Sequence, residues 1–133
     1  MVEKLYFSIS ELCKSDTAKQ YSIDNAPTTM EQIDNMVNLI HNVLQPLRVK
    51  IGKAVIVNSG YRCPLLNNRV GGVRNSQHLT GQAADIRVNG VPHKTLFEYI
   101  KNSDIVYDQL ILEKGCVHVS YSSKHNRMQA FTL

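Results

Sequence analysis

A chain of 133 residues with 43% apolar and 20% charged side chains is long enough for one modest hydrophobic core and too short for two comfortable domains. Its composition excludes disordered and fibrous architectures. No apolar run approaches the roughly 20 residues of a membrane-spanning helix, and polar residues break up the opening MVEKLYFSISELCKSD before the apolar stretch of a secretory signal can form. The net charge of +4 and the pI near 9.0 suit an anionic partner such as nucleic acid or wall polymer, but the Lys and Arg residues are scattered, so charge alone selects neither.

In chain order, Ser8-Ile-Ser-Glu11 fits a capping box that opens a short helix. Ile23–Pro27 reads as a loop. Thr28-Thr-Met-Glu31 repeats the capping pattern, and Ile33, Val37, Ile40, Leu44 and Leu47 then recur at helical steps, marking the buried face of a long helix whose end Pro46 kinks. After that the period changes. AVIVNSG, Ala54–Gly60, is a β-branched run closed by turn residues and reads as a strand, while Pro64–Arg69 opens with proline at a first helical position. In ADIRV, Ala84, Ile86 and Val88 face a core and leave Asp85 and Arg87 on the other side of a strand. Pro92–Asn102 reads as another helix. Gln109–Tyr121 contains two alternating runs around Lys114-Gly115, the pattern of a hairpin, and RMQAFTL closes a sheet. Helices early and antiparallel strands late make the class α+β.

Cys13, Cys63 and Cys116 are odd in number and lack a CxxC pair, so they form neither a disulfide framework nor a thiolate zinc cluster, and reduced thiols are expected. The stretch SQHLTGQAAD, Ser76–Asp85, is more informative. On a helix His78 and Asp85 would stand ~10 Å apart, and on a straight strand more than ~20 Å, whereas ligands of one metal must converge. Gly81 permits a reversal and Ala83 and Ala84 permit close packing, so the composition suits a bend that returns the histidine to the strand bearing Asp85. His118 is the natural third ligand. It shares a strand face with Cys116 and Ser120, opposite Val117, Val119 and Tyr121. If Lys114-Gly115 is a two-residue turn, Glu113 lies across from Cys116 and diagonal to His118 on that same face. Two imidazoles, a carboxylate and a water make a common catalytic zinc shell. From spacing alone a hydrogen-bonded surface histidine at position 78 and a satisfied core histidine at position 118 remain open, as does Cys116 as either a fourth ligand or a small buried hydrophobe. His41, His93 and His125 read as surface or helix-face residues.

Taken together, SGYRCPLLNNRVGG, NSQHLTGQAADI and DQLILEKGCVHVSY resemble the zinc D-Ala-D-Ala carboxypeptidase family, the M15 peptidases, and in particular its short single-domain members. The resemblance runs from Phe7 to about Tyr121 and rests on three ordered blocks, SGYR, SxHxxGxAxD and VHVSY. It implies one domain over residues 1–133 with the hedgehog/DD-peptidase fold, a small antiparallel sheet flanked by helices with the metal on its open face. It places the zinc ligands on His78, Asp85 and His118 and an oxyanion-stabilising arginine on Arg62, where the bland alternative is a turn arginine. Ser76 would position ligand or substrate, and Tyr61 would pack beneath the turn. In related enzymes a catalytic carboxylate stands about three residues before the last histidine, or a second histidine two before it. Those positions hold Gly115 and Cys116 here, which makes Glu113 the candidate general base and Asp108 the fallback.

The resemblance therefore implies a zinc metallopeptidase acting on peptidoglycan stem peptides, as a D-Ala-D-Ala carboxypeptidase or an endolysin-type endopeptidase. A monomer with no nucleic-acid partner is the expected state. Without a signal peptide, the enzyme would be cytoplasmic or released by lysis, as in phage systems. The rival reading is a non-catalytic zinc module that binds wall peptides or a protein partner.

Overall fold

The computed structural model of the protein describes residues 4–133. Two short helices open the chain, α1 (Ile9–Leu12) and α2 (Asp16–Gln20). Each starts where a serine hydroxyl, of Ser8 or Ser15, accepts the backbone N–H three residues ahead. The next helix, α3 (Met30–Leu39), is capped one residue later than the sequence suggests, by Thr29 rather than Thr28. Gln32 decides this. Its Oε1 accepts from the N–H groups of Thr28 (2.7 Å) and Thr29 (3.2 Å), while Thr29 Oγ1 accepts from Gln32 N–H, closing a capping box that Glu31 is not placed to make.

The helix continues through a π-helical turn, Ile40–Leu44, into α4 (Gln45–Ile51). Pro46 has no N–H to give the carbonyl of Asn42, and the chain absorbs this as a widened turn in which Gln45 N–H reaches back to Ile40 O. The widened turn rotates the buried face. Met36, Leu39, Ile40, Val43, Leu44 and Leu47 are buried, whereas Val37 is exposed and Ile33 only half-buried. The expected stripe thus holds from Ile40 onward and is corrected before it.

The strands are β1 (Ile56–Ser59), β2 (Ala83–Arg87), β3 (Gln109–Leu112), β4 (Val117–Ser120) and β5 (Gln129–Thr132), with helices α5 (Pro64–Arg69) and α6 (His93–Lys101) between them. They form one five-stranded sheet in the order β1-β2-β4-β3-β5. The first four strands pair antiparallel, and β5 runs parallel to β3. The direction of β5 follows from its anchor. Met128 N–H bonds Tyr107 O and Gln129 N–H bonds Asp108 O, so β5 begins beside the start of β3. The sheet is therefore mixed, within the expected α+β class.

Ala84, Ile86, Leu110, Val117 and Val119 point to one face and join Leu39, Val43, Leu47, Leu96 and Ile100 in a contiguous core. The alternation of the strands leaves Asp85, His118 and Ile111 on the opposite face. Burial of the core face is what fixes the register, because a slip by one residue would turn every one of these side chains over.

Gly81 makes the reversal that brings the histidine turn back onto β2. Its φ is +79°, and a Cβ there would stand 2.6 Å from Gln32 O on α3. Gly90 has a φ of +80° with open space around it. Gly81→Ala should therefore lose about 2 kcal/mol or more in urea unfolding, and Gly90→Ala only about 1 kcal/mol. Equal losses would mean that the approach of α3 to the turn does not constrain position 81.

Candidate metal centre

His78 rides on a 3₁₀ turn, Gln77–Thr80, that Ser76 opens by accepting His78 N–H on its Oγ (3.1 Å). The turn is tied to the SGYR segment twice, since Arg62 N–H bonds His78 O (3.0 Å) and His78 Nδ1 stands 2.7 Å from Gly60 O. A carbonyl only accepts, so Nδ1 carries the proton and Nε2 presents its lone pair. Position 60 must be glycine for a different contact, since a Cβ there would overlap Leu12 O at the end of α1. Asp85 and His118 meet by register, directly opposite each other on β2 and β4.

The three side chains converge on one atom. His78 Nε2 lies 3.3 Å and His118 Nδ1 3.0 Å from Asp85 Oδ1, with the two rings edge to face at 5.2 Å. All three residues are buried, Asp85 at 8% exposure. Burial pushes the Asp85 carboxyl up, but the His118 and His78 rings, which donate hydrogen bonds to it and carry charge when doubly protonated, outweigh burial and hold the group well below the usual carboxylate range. The other oxygen, Oδ2, meets Arg62 Nη2 at 3.3 Å.

Arg62 is no carbonyl-satisfying turn residue. Its Nε donates to Ser59 Oγ (3.0 Å) and its Nη1 to Asn67 Oδ1 (3.2 Å), so the guanidinium is held from three sides within the site. Lys114-Gly115 forms the expected tight turn, with Glu113 N–H bonded to Cys116 O, and Glu113 comes to the same face as His118. Carboxylate oxygens of Asp85 and Glu113 and the Cys116 sulfur lie within 4.8 Å of one another. Burial, then the charges of Asp85 and Glu113, push the Cys116 thiol up to about 12, so it is protonated and donates weakly to Glu113 Oε2 (3.8 Å). It belongs to the Glu113 side of the site and not to the convergent triad.

Asp108, the fallback base, is spent on structure. Arg127 Nε and Nη2 grip both its oxygens at 2.9 and 2.8 Å, Arg127 N–H adds a third bond, and Gln77 Nε2 adds a fourth. This clamp joins the start of β3 to the segment before β5 and to the turn that carries His78. Tyr61 packs beneath the SGYR turn at 1% exposure. His41 and His125 are exposed and His93 is half-buried, all away from the triad.

Sequence reasoning missed two asparagines that hold the site. Buried Asn25 donates from Nδ2 to the carbonyls of Cys13 and Tyr61 and accepts Cys63 N–H, which fixes the SGYRC turn from a loop that carries no signal beyond its turn residues. Asn67, at 4% exposure, bonds Arg62 and Val73 O. A groove of about 650 Å³ crosses the open face over the triad, lined among others by Ser76, Gln109, Ile111, Glu113 and Phe131.

The sequence profile of the family described as Peptidase M15 matches residues 5–120. The chain belongs to this family. A search of curated proteins finds no match. M15 peptidases are zinc-dependent, and the donors present here fit that ion. Ligands ~2.0–2.1 Å from zinc at the corners of a tetrahedron stand about 3.3 Å apart, and the two nitrogens stand 3.3 and 3.0 Å from Asp85 Oδ1. A lone pair of His78 facing a carboxylate oxygen is, moreover, an arrangement that a cation or a proton must bridge.

The Asp108 clamp makes a pH-dependent contribution to stability. Hydrogen bonds from Arg127 outweigh burial and hold Asp108 well below the usual carboxylate range. Its stabilisation is therefore complete above the unfolded value of ~3.9 and fades as pH falls through the folded one. With Arg127 half-exposed, Asp108→Asn should cost about 1–2 kcal/mol at pH 7 and progressively less below pH ~4 in urea unfolding. A difference between wild type and variant that grows on acidification would overturn this assignment.

Proposed function

We propose that the chain is a single zinc peptidase domain that hydrolyses peptide bonds in the stem peptides of bacterial peptidoglycan, as a carboxypeptidase or an endolysin-type endopeptidase. One observation carries the reading. Two imidazole nitrogens meet a single buried oxygen of Asp85, and the proton on His78 Nδ1 is already committed to Gly60 O. Family membership supports peptide hydrolysis, and the stem-peptide substrate extends the resemblance of the three sequence blocks.

His78, Asp85 and His118 would hold the ion. Held there, a zinc ion would supply an acidified water and a polarised amide carbonyl. Glu113, on the same face, takes the proton of the attacking water and returns it to the leaving nitrogen. A carbon–oxygen bond forms, the carbon–nitrogen bond breaks, and the base ends as it began. Arg62 has five N–H groups, of which three are engaged. The remaining two can donate to the oxygen that turns anionic in the tetrahedral state. Ser76 spends its oxygen lone pair on His78 N–H and keeps its hydroxyl proton for a substrate carbonyl in the groove.

In this reading the chain acts as a monomer with wall peptide rather than nucleic acid in the groove, a choice that follows the family resemblance, because the scattered basic surplus selects neither. No helix among the described residues is long and apolar enough to cross a membrane, and release by host-cell lysis would bring the protein to the wall.

Metal analysis and digestion of muropeptides test the reading together. One zinc per chain is expected, lost in His78→Ala and His118→Ala. Glu113→Gln should keep the zinc and lose about 10²–10⁴-fold in kcat. A wild type that holds zinc and cleaves no muropeptide would instead support the non-catalytic wall-binding module, which the glycine and cysteine at positions 115 and 116 favour. A wild type that holds no zinc would end both readings.

A further inference from the structure

We infer that Asn67 and Gly72 together set the aim of Arg62, Asn67 as a hydrogen-bonded positioning residue and Gly72 as the space that the guanidinium–amide pair requires. The inference rests on the peptidase reading of Arg62 given above.

Asn67 lies in the last turn of α5, is 4% exposed, and uses both ends of its amide. Oδ1 accepts from Arg62 Nη1 at 3.2 Å, and Nδ2 donates to Val73 O at 3.0 Å. Its backbone carbonyl accepts Gly72 N–H at 2.9 Å. The loop after α5 is thus folded onto the asparagine, and the asparagine onto the arginine. Among the described residues no other bonds that side of the guanidinium, since Ser59 takes Nε and Asp85 takes Nη2. Remove the amide and the rigid guanidinium keeps two of its three restraints, so the N–H groups left for a substrate oxygen are held less tightly and part of their orientation is done during the reaction instead of before it. The loss of preorganisation falls on the charge that develops in the transition state and not on ground-state binding.

Gly72 supplies the second, independent observation. A Cβ at this position would overlap Asn67 Oδ1 and stand 2.9 Å from Arg62 Nη1, inside van der Waals contact with the two atoms that make the bond. Asn67 cannot swing aside freely, because Val73 O holds its other end. Gly72 does not have a left-handed φ, so the nearest obstacle to alanine there is this pair of side chains and not the backbone conformation. Gly71 is the reverse, with a φ of +74° and open space where a Cβ would go. Neighbouring glycines therefore separate a backbone requirement from a requirement of the site.

The test uses the full zinc-loaded chain and five variants, Arg62→Ala, Asn67→Ala, Asn67→Asp, Gly72→Ala and Gly71→Ala. Four quantities are read: zinc content, Tm, kcat and KM on muropeptides, and calorimetric affinity for a phosphinate analogue whose tetrahedral anion replaces the scissile carbonyl. Asn67→Ala and Gly72→Ala should keep one zinc per chain, lower kcat about 10–100-fold with KM within about threefold, and weaken phosphinate binding by the same factor as kcat. Asn67→Asp keeps the acceptor for Nη1 but loses the donor to Val73 O, so its kcat should fall between those of Asn67→Ala and wild type. Gly71→Ala should lower Tm through its positive φ and leave kcat within about threefold of wild type.

If Arg62→Ala is impaired while Asn67→Ala and Gly72→Ala match wild type in kcat and phosphinate affinity, the positioning role is overturned and the role of Arg62 stands. If Arg62→Ala also matches wild type, the peptidase role of Arg62 fails and takes the inference with it. Should wild type cleave nothing, phosphinate affinity still decides, and equal binding by wild type and Gly72→Ala overturns the proposal.

Discussion

Asp85 is the point on which the open face is organised. A carboxylate at 8% exposure is costly to keep ionised, because burial removes water without supplying anything in return. Here three neighbours supply the return, an imidazole from the 3₁₀ turn, an imidazole from β4 and the guanidinium of Arg62. Removing any one of them would leave the carboxylate closer to the neutral form, which neither holds an ion nor anchors an arginine. The site is therefore a mutual arrangement of charge, in which ligand geometry and carboxylate ionisation are the same constraint.

Delivering those neighbours takes three different backbone devices. His118 arrives by strand register alone, and that register is enforced from the far side of the sheet by Ile86, Val117 and Val119. His78 arrives by a turn reversed at Gly81 and held down by Gly60 O and by Arg62 N–H. Arg62 arrives on a turn that Asn25 fixes from a separate loop. The α1 carbonyl of Leu12 bonds Tyr61 N–H, so the early helices, remote from the groove in sequence, reach the site through the SGYR segment. Stability and ligand placement are for this reason not separable in the first third of the chain.

How much of this is readable in the residues depends on whether the cause is local. The reversal at Gly81, the hairpin at Lys114-Gly115 and the facing of Asp85 and Glu113 follow from side-chain period and turn chemistry, which act over a few residues. The early face of α3 was misplaced because Pro46 acts backwards through a π-helical turn that no simple helical period contains. The Thr28 cap was misplaced because the reciprocal partner is Gln32 rather than Glu31. Asn25 and Asn67 were invisible as site residues, since each draws its role from groups brought close by the fold. The parallel course of β5 depends likewise on a clamp between Asp108 and Arg127, nineteen positions apart, that no periodicity encodes.

The residues before His118 look at first like the loss of a catalytic carboxylate, because a glycine and a cysteine stand where related enzymes place their acid or second histidine. The hairpin gives another account. Cross-strand neighbours in an antiparallel pair share a face, so a carboxylate moved from the strand carrying the last histidine to the facing end of its partner strand remains on the groove side. Glu113 occupies that place, opposite Cys116 and beside Asp85, and the turn between the strands is short enough to bring it there only because Lys114-Gly115 closes in two residues. Cys116 then faces Glu113 as a protonated, weakly donating neighbour that contributes no negative charge to compete with it. On the proposed reading of Glu113 as the base, a departure in linear sequence is, in space, the relocation of one acid across one pair of strands.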